Sequence, residues 1–401
     1  MGSTVTLGLA RLELDWGKNE SFVNHSALFL PTDKSPAPYY YADDVVEEKE
    51  AYVRPLRSVT KRLEMLGYSL AECERRYAEE VAEYPDYYDP PSLTFADFAR
   101  ILKAVHVRSV GLVEDGDYDL GEYVSQGIMR DPQFIAVEPR LKDMNRDEGT
   151  FFENLDPYIT LRLLAENPEN LDLPVVWRIA DIVEGGYVRG EIYEGVPRED
   201  VCLLVTEGST DTNILQAALP LAAPDVCDFF DFVDMSEHYP FTGTGNLFRF
   251  AQGLARIGIQ NRILIVTDND TAGREAFGRI SKLDLPHRMR VVTLPDLGEA
   301  RSFPTLGPSG RAIEDVNGRA LAIELFLDLK AAGVDDIAVR WTAYNDQLDQ
   351  YQGHLVNKDE HTRCFLEAVK RGQPYDFTKL TILWEHLITA CSGTASRTRE
   401  R

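Results

Sequence analysis

The chain has no apolar run approaching the roughly 20 residues of a membrane span. Met1 to Leu9 also lacks the charged and then apolar organisation of a secretory leader. Cysteine is sparse: Cys73, Cys202, Cys227, Cys364 and Cys391 are scattered, odd in number and never form a CxxC pair. That pattern excludes a zinc ribbon and a disulfide frame, and it is expected of reduced thiols in a cytosol. No internal repeat is present, and no low-complexity tract precedes the polar tail Ser392–Arg401. Positive charge is also in short supply, with 42 Lys and Arg against 66 Asp and Glu and a formal charge of −24. A dedicated nucleic-acid coat is basic, so a whole-surface binder is disfavoured. A nuclease is not excluded, because metal-holding carboxylates add acid and only a groove need be basic.

The 401 residues, 44% apolar and 27% charged, suffice for at least two domains with large cores. In the first half, Val5 to Trp16 alternates and predicts one or two strands. Val45 to Glu83 has a helical texture, Tyr84–Pro91 is a proline-rich break, and Ser92–Val107 suits a helix starting near Ser92 or Thr94. Pro132–Leu155 is mixed, and Asp156–Gly185 reads as mostly helical with interruptions at Pro168 and Pro174.

The texture changes near Pro197. Val201–Thr206, Phe229–Met235, Arg262–Thr267 and Met289–Leu294 are apolar segments of strand length. The first and third are continuous apolar runs, as in strands buried on both faces. They alternate with helices expected over Thr210–Leu219, Asn246–Ile257 and Thr271–Ile280. This order implies a parallel sheet with right-handed crossovers, with its chemistry at the carboxyl ends of the strands. Between Gly245 and Arg290 eight Lys or Arg face four acids, a local balance of +4 that reads as a stretch able to guide a phosphate backbone.

Two acidic clusters fall at that sheet edge. Strand one runs into Glu207-Gly-Ser-Thr-Asp211, and strand three into Asp268-Asn-Asp270-Thr-Ala-Gly273. Residues i and i+2 of extended backbone point the same way, so Asp268 and Asp270 can converge. Gathering several carboxylates is electrostatically unfavourable unless a cation offsets them, and Mg²⁺ prefers a few hard oxygens with waters and phosphate oxygens completing its shell. Gly208 and Gly273 would let backbone pass close to the site. A phosphatase of the DxDx[T/V] type fails at Ala272, as does an EF-hand loop. Other readings stay open: Glu207 as a turn acid, Asp211 as a helix-dipole acid, Asp234 as a further ligand or a solvated acid, and Glu314 and Asp315 as capping acids. Glu324, set among apolar residues, is a candidate supporting ligand that needs a partner if buried. Gly243-Thr-Gly-Asn246 could cradle a phosphate at a helix N-terminus, and Arg274 could clamp one.

The segments LLVTEGSTD (203–211) and ILIVTDNDTAG (263–273), about 60 residues apart with a strand and a glycine-led helix between them, resemble the Toprim domain over roughly residues 198–300. Toprim is shared by topoisomerases, primases, OLD-family nucleases and small RNA-maturation nucleases. The resemblance implies a Rossmann-like α/β domain with a parallel four-stranded sheet. It implies that Glu207, Asp268 and Asp270 bind Mg²⁺ or Mn²⁺, with Asp211 matching an extra acid of OLD-like nucleases. The opening LGLARLELDWGKN (7–19) resembles an N-terminal domain fused to Toprim or HEPN effectors in prokaryotic conflict systems. The stretches IEDVNGRALAIELFL (313–327), RWTAYN (340–345) and YQGHLVNK (351–358) share the texture of that group. A HEPN ribonuclease would use an Arg–His pair, for which Arg100 and His106 are the spaced candidates, with Ile101 where a polar residue is usual.

The expectation is therefore a mixed α+β, helix-rich N-terminal domain over residues 1–195 that senses, regulates or oligomerises. A Toprim catalytic domain follows over 196–335, then a C-terminal extension over 336–401 with a frayed tail. The expected activity is divalent-metal-dependent hydrolysis of DNA, in preference to RNA, in the cytoplasm and in antiphage defence. Catalysis falls to Glu207, Asp211, Asp268 and Asp270, metal holding to these four with Glu324, and nucleic-acid contact to Arg274, Asn246 and Gly243. Nucleic acid, a protein activator and a second copy are the expected partners, and a membrane is not. The rival readings are a non-catalytic Toprim-like scaffold and a topoisomerase- or primase-related activity.

Overall fold

The computed structural model describes residues 4–17, 23–40, 45–85, 91–110, 121–186, 191–233, 244–257, 261–346 and 348–393. The chain divides into two compact units, Met1–Pro197 and Arg198–Arg401. Among the described residues no helix is long and apolar enough to cross a membrane. All five cysteines are free thiols.

The first unit opens with strands β1 (Thr4–Leu9) and β2 (Leu12–Gly17), then β3 (Lys34–Tyr40) and β4 (Val46–Pro55). Helices α1 (Leu56–Met65), α2 (Leu70–Glu83), α3 (Phe95–Ala104), α4 (Pro132–Val137), α5 (Arg146–Asn154) and α6 (Pro157–Leu164) follow. Strand β5 (Pro174–Arg178) and helix α7 (Ala180–Glu184) close it. The five strands form one antiparallel sheet in the order β2-β1-β5-β4-β3. Two of its strands lie where the sequence texture predicts helix. The glutamates of β4 sit on its exposed half, while Ala51, Tyr52 and Arg54 are buried as the strand runs between β3 and β5. Cross-strand pairing there overrides the helical preference of Glu and Ala. Strand β5 is central, its Val175, Val176 and Trp177 buried, and Pro174 stands at its first position, where a missing N–H is tolerated. His25, fully buried, bonds Asp15 at 2.7 Å and the Tyr158 hydroxyl at 3.1 Å beside Trp177, a core role.

The second unit alternates strand and helix: β6 (Cys202–Val205), α8 (Ser209–Ala222), β7 (Phe230–Phe232), α9 (Thr244–Ile257), β8 (Arg262–Thr267), β9 (Asn269–Asp270), α10 (Thr271–Ile280) and β10 (Met289–Thr293). Strands β6, β7, β8 and β10 form a parallel sheet in the order β10-β8-β6-β7. The period-2 alternation of its strands covers both faces. Val205, Ile263, Ile265, Met289 and Val291 pack on Leu247, Ala251 and Leu254 of α9 and Ile280 of α10.

The opposite face is closed by residues from far down the chain. After β11 (Phe303–Gly307), β12 (Gly310–Glu314), β13 (Ala320–Leu321), β14 (Val339–Asn345) and β15 (Gln350–Leu355) come α11 (Lys358–Arg371) and α12 (Thr378–Ser392). Trp384 of α12, fully buried, meets the rings of Phe230 and Phe232 at 5.1 and 6.4 Å. Strands β14 and β15 join β11 and β12 in a second sheet. Residues 336–401, set apart as an extension on sequence grounds, thus supply strands and a core helix to this unit. Trp384→Ala is expected to destabilise the second unit by about 3–5 kcal/mol, the range for emptying a large buried aromatic site. Urea unfolding of the full chain, followed by tryptophan fluorescence, measures it.

Candidate active site: an acidic cluster at the sheet edge

Strands β6 and β8 are hydrogen-bonded neighbours in register Cys202↔Arg262 to Val205↔Ile265. Whatever follows each strand by one or two residues is therefore brought side by side. Glu207 follows β6, and Asp268 follows β8. The Asp268 N–H donates to Glu207 Oε1 at 3.3 Å, joining the two segments.

The remaining acids are set by local structure. Asp211 lies in the first turn of α8, and its Oδ2 accepts the Gly208 N–H at 3.1 Å. Asp270 is the N-cap of α10, with Oδ1 accepting the Gly273 N–H at 2.7 Å. Its backbone sits in the two-residue ladder β9–β13, opposite Ala320. A Cβ on Gly273 would lie 2.1 Å from the Asp268 carbonyl oxygen, so only glycine lets the turn close on itself. Glu324, in the 3-10 turn Ile323–Phe326, is buried to 3% exposure and lies 3.4 Å from Lys358 Nζ at the start of α11.

Electrostatics tie these five carboxylates together. Burial, with the charges of Asp270 and Asp211, pushes Glu207 up to about 8. Burial and Glu324 push Asp211 up to about 7, against the pull of the Gly208 N–H and Lys358. Asp268 is driven well above the usual carboxylate range by burial and then by Asp211, Glu207, Asp270 and Glu324. Asp270 is raised by burial and held back by Gly273 and Gln352. Lys358 is raised chiefly by Glu324. Among the described residues, these acids form one field of mutual repulsion with the Lys358 ammonium beside it.

The donor set, all hard carboxylate oxygen, suits a cation of the Mg²⁺ or Mn²⁺ class. Among the described residues, no three acidic, His or Cys side chains stand in a ready-made coordination arrangement. The oxygens named above instead face the N–H groups of Gly208, Asp268 and Gly273 and the Gln352 amide, so the donors match in type while their side chains would have to turn to share an ion.

The nucleic-acid candidates are scattered. Asn246 is half-buried in the first turn of α9, and Gly243 and Asp234 lie outside the described residues. Arg274, exposed in the first turn of α10, has its guanidinium against Gly318, where a Cβ would be 2.3 Å from Nη1. The basic stretch does not present eight free cations. Arg262 is fully buried near Asp200, Arg279 lies over the Phe248 ring, Arg288 donates to the Glu199 carbonyl, and Arg290 donates to the Ala390 and Gly393 carbonyls. Arg249, Arg256, Arg274 and Lys282 remain exposed. Glu314 is not a helix cap: it ends β12 and accepts from Thr305 Oγ1 and Trp341 Nε1, both at 2.7 Å. Arg100 and His106 are held apart, Arg100 by Asp97 and Glu138 and His106 by Glu169 at 3.6 Å.

Two residues of the site were missed by sequence reasoning. Gln352 of β15 donates from Nε2 to Asp270 Oδ2, and Lys358 pairs with Glu324. Both lie in the segment YQGHLVNK, whose residues carry no periodicity or spacing that marks them.

The chain is thus an α/β protein whose second unit gathers acids at the carboxyl edge of a parallel sheet. Its first 200 residues match the family model HEPN/Toprim N-terminal domain 1, so it carries that domain and is a HEPN/Toprim-associated protein. This agrees with the expectation raised by the opening LGLARLELDWGKN. No curated protein and no solved structure matches the chain.

The raised acids set a pH dependence. Glu207 and Asp211 bind protons in the folded chain up to about 8 and 7, against ordinary values of 4.5 and 3.8. Their contribution to stability is full below the ordinary values and is lost as pH rises through the folded ones. In chelator, Asp268→Asn is expected to melt higher than wild type at pH 8, by about 2–4 °C for each kcal/mol of repulsion relieved, and to match it at pH 5. Calorimetric melting curves at the two pH values check this.

Proposed function

We propose that the chain is a divalent-metal-dependent nuclease of the Toprim type, hydrolysing phosphodiester bonds of DNA in preference to RNA. The observation that carries this reading is the convergence of Glu207, Asp211, Asp268, Asp270 and Glu324 where β6 and β8 end, with Lys358, among the described residues, to offset them. The family match at the N-terminal unit supports it, since that domain is described by its association with HEPN and Toprim.

On this reading Glu207, Asp268 and Asp270 hold Mg²⁺ or Mn²⁺, Asp211 and Glu324 help, and all of these but Glu324 are the catalytic acids. Such a cation, when bound, polarises a phosphate, lowers the pKa of a water and steadies a leaving oxygen. The chain's own residues do the rest. Gly273 lets the backbone after Asp268 turn tightly enough to place Asp270 beside it. Glu207, tied to the end of β8 through the Asp268 N–H, is the acid assigned to exchange a proton with a nearby water. Lys358 limits the charge around Glu324 and Asp211. Arg274 and Asn246, in the first turns of α10 and α9, are the residues assigned to the phosphate backbone. The N-terminal unit senses, regulates or self-associates, the setting is prokaryotic antiphage defence in the cytoplasm, and a protein activator is an expected partner.

The test is cleavage of supercoiled plasmid, and of a structured RNA in parallel, by the purified chain in Mg²⁺ and in Mn²⁺. A Glu207→Ala/Asp268→Ala double variant runs beside it. Nicking or linearisation by the wild-type chain alone is expected, with a loss of at least about 100-fold in the variant. Equal cleavage by both would remove the acid cluster as the site. RNA cut in place of DNA would reverse the substrate assignment.

A further inference from the structure

We infer that Gln352 is a positioning residue for the acidic site, its side-chain amide holding Asp270 and the first turn of α10 in one orientation, the fixed point to which the other acids turn when they gather around a divalent cation; this rests on the metal-dependent reading above. The amide makes two bonds to the same turn. Nε2 donates to Asp270 Oδ2, and Oε1 accepts the Ala272 N–H at 3.1 Å. The other Asp270 oxygen accepts the Gly273 N–H at 2.7 Å. The backbone N–H groups of Gly273 and Ala272 reach the carboxylate from its own turn, and the Gln352 amide is the side-chain donor that holds its second oxygen from the hairpin.

The residue type fits this task. A primary amide offers a donor and an acceptor together without adding charge. A lysine or arginine in its place would neutralise Asp270 and compete with a cation, and a carboxylate would add a further repulsion. Outer partners that orient ligating carboxylates in this way have large effects on metal affinity.

The backbone around Gln352 is itself held. Its carbonyl accepts from Thr342 Oγ1 at 3.2 Å across the β14–β15 ladder. On one side the Tyr351 carbonyl accepts from Thr271 Oγ1 at 3.2 Å. On the other the Gly353 N–H donates to the Arg319 carbonyl at 3.4 Å. A Cβ on Gly353 would fall 2.7 Å from Trp341 Cε3, so the indole is packed on this glycine, and the Arg319 guanidinium lies 4.2 Å over the same ring. The hairpin and the Asp268–Gly273 turn are therefore built as one piece, and Gln352 is where they meet at a candidate ligand.

The experiment is Mn²⁺ titration of the full chain, read by electron paramagnetic resonance of free Mn²⁺, with melting in EDTA as the measure of folding. Gln352→Met keeps the length and removes both bonds; Thr342→Val removes the hairpin bond and leaves the amide. Gln352→Met is expected to bind Mn²⁺ about 10-fold more weakly than wild type, with Thr342→Val within about twofold of it and EDTA melting of both unchanged. Equal affinity in wild type and Gln352→Met, or equal weakening in both variants, overturns the assignment. Should Gln352→Met fail to fold, Gln352→Asn, too short to span Asp270 and Ala272 together, replaces it under the same criteria. A wild-type chain with no Mn²⁺ affinity removes the metal reading and this inference with it, whereas wild-type binding with an unaffected Gln352→Met removes only the inference.

Discussion

Repulsion among five carboxylates is the constraint around which the second unit is arranged. Adjacent parallel strands lie about 4.8 Å apart, so residues placed just beyond β6 and β8 have no means of avoiding one another. Each acid there raises the proton affinity of its neighbours, and burial adds to the effect by removing the water that would screen them. An arrangement of this kind persists only if the surrounding structure over-determines it. The surroundings do so through N–H donors: Gly208 on Asp211, Asp268 on Glu207, Gly273 and Gln352 on Asp270. Among the described residues, the full positive charge that joins them is on Lys358.

Seen from this constraint, the late part of the chain has a definite task. Strand β13 pairs with β9 and so grips the backbone of Asp270. The β14–β15 hairpin adds the Gln352 amide and the Tyr351 carbonyl to the same turn. Helix α11 begins with Lys358, and α12 closes the sheet face opposite α9 and α10 through Trp384. The parallel sheet supplies the place where acids meet, and the segments after it supply the grip that keeps them there.

This division also explains what could be read from the sequence. The four parallel strands were legible because strands buried on both faces need short apolar runs, and the acids stood out because they follow two of those runs directly. Asp270 and Glu324 were legible for the same reason, an acid at a spacing or in a setting that apolar neighbours make conspicuous. Gln352 was not: a glutamine in a half-exposed hairpin is ordinary until its partner is known. Strands β4 and β5 were misread because their state is decided by pairing with each other, and for β5 also with β1, across a long stretch of sequence. The +4 stretch misled for a related reason. Charge counting treats Arg262 and Arg249 alike, yet one is fully buried beside Asp200 and the other faces solvent.

Charge also decides how a polyanion could use such a site. A chain of net −24 repels a phosphate backbone at long range, and exposed Arg249, Arg256, Arg274 and Lys282 are a thin counterweight. At the site itself the balance is five carboxylates against Lys358. Under the proposed reading, divalent cations would displace the protons that burial and repulsion keep on Glu207, Asp211 and Asp268 and would offset the carboxylates, so that the site accepts phosphate. Affinity for nucleic acid would then follow divalent-ion occupancy more than monovalent salt, the reverse of a protein that binds through a lysine and arginine coat, where counterion release dominates. The acidity that argues against a nucleic-acid coat is, on this account, the means by which binding is made conditional on the metal.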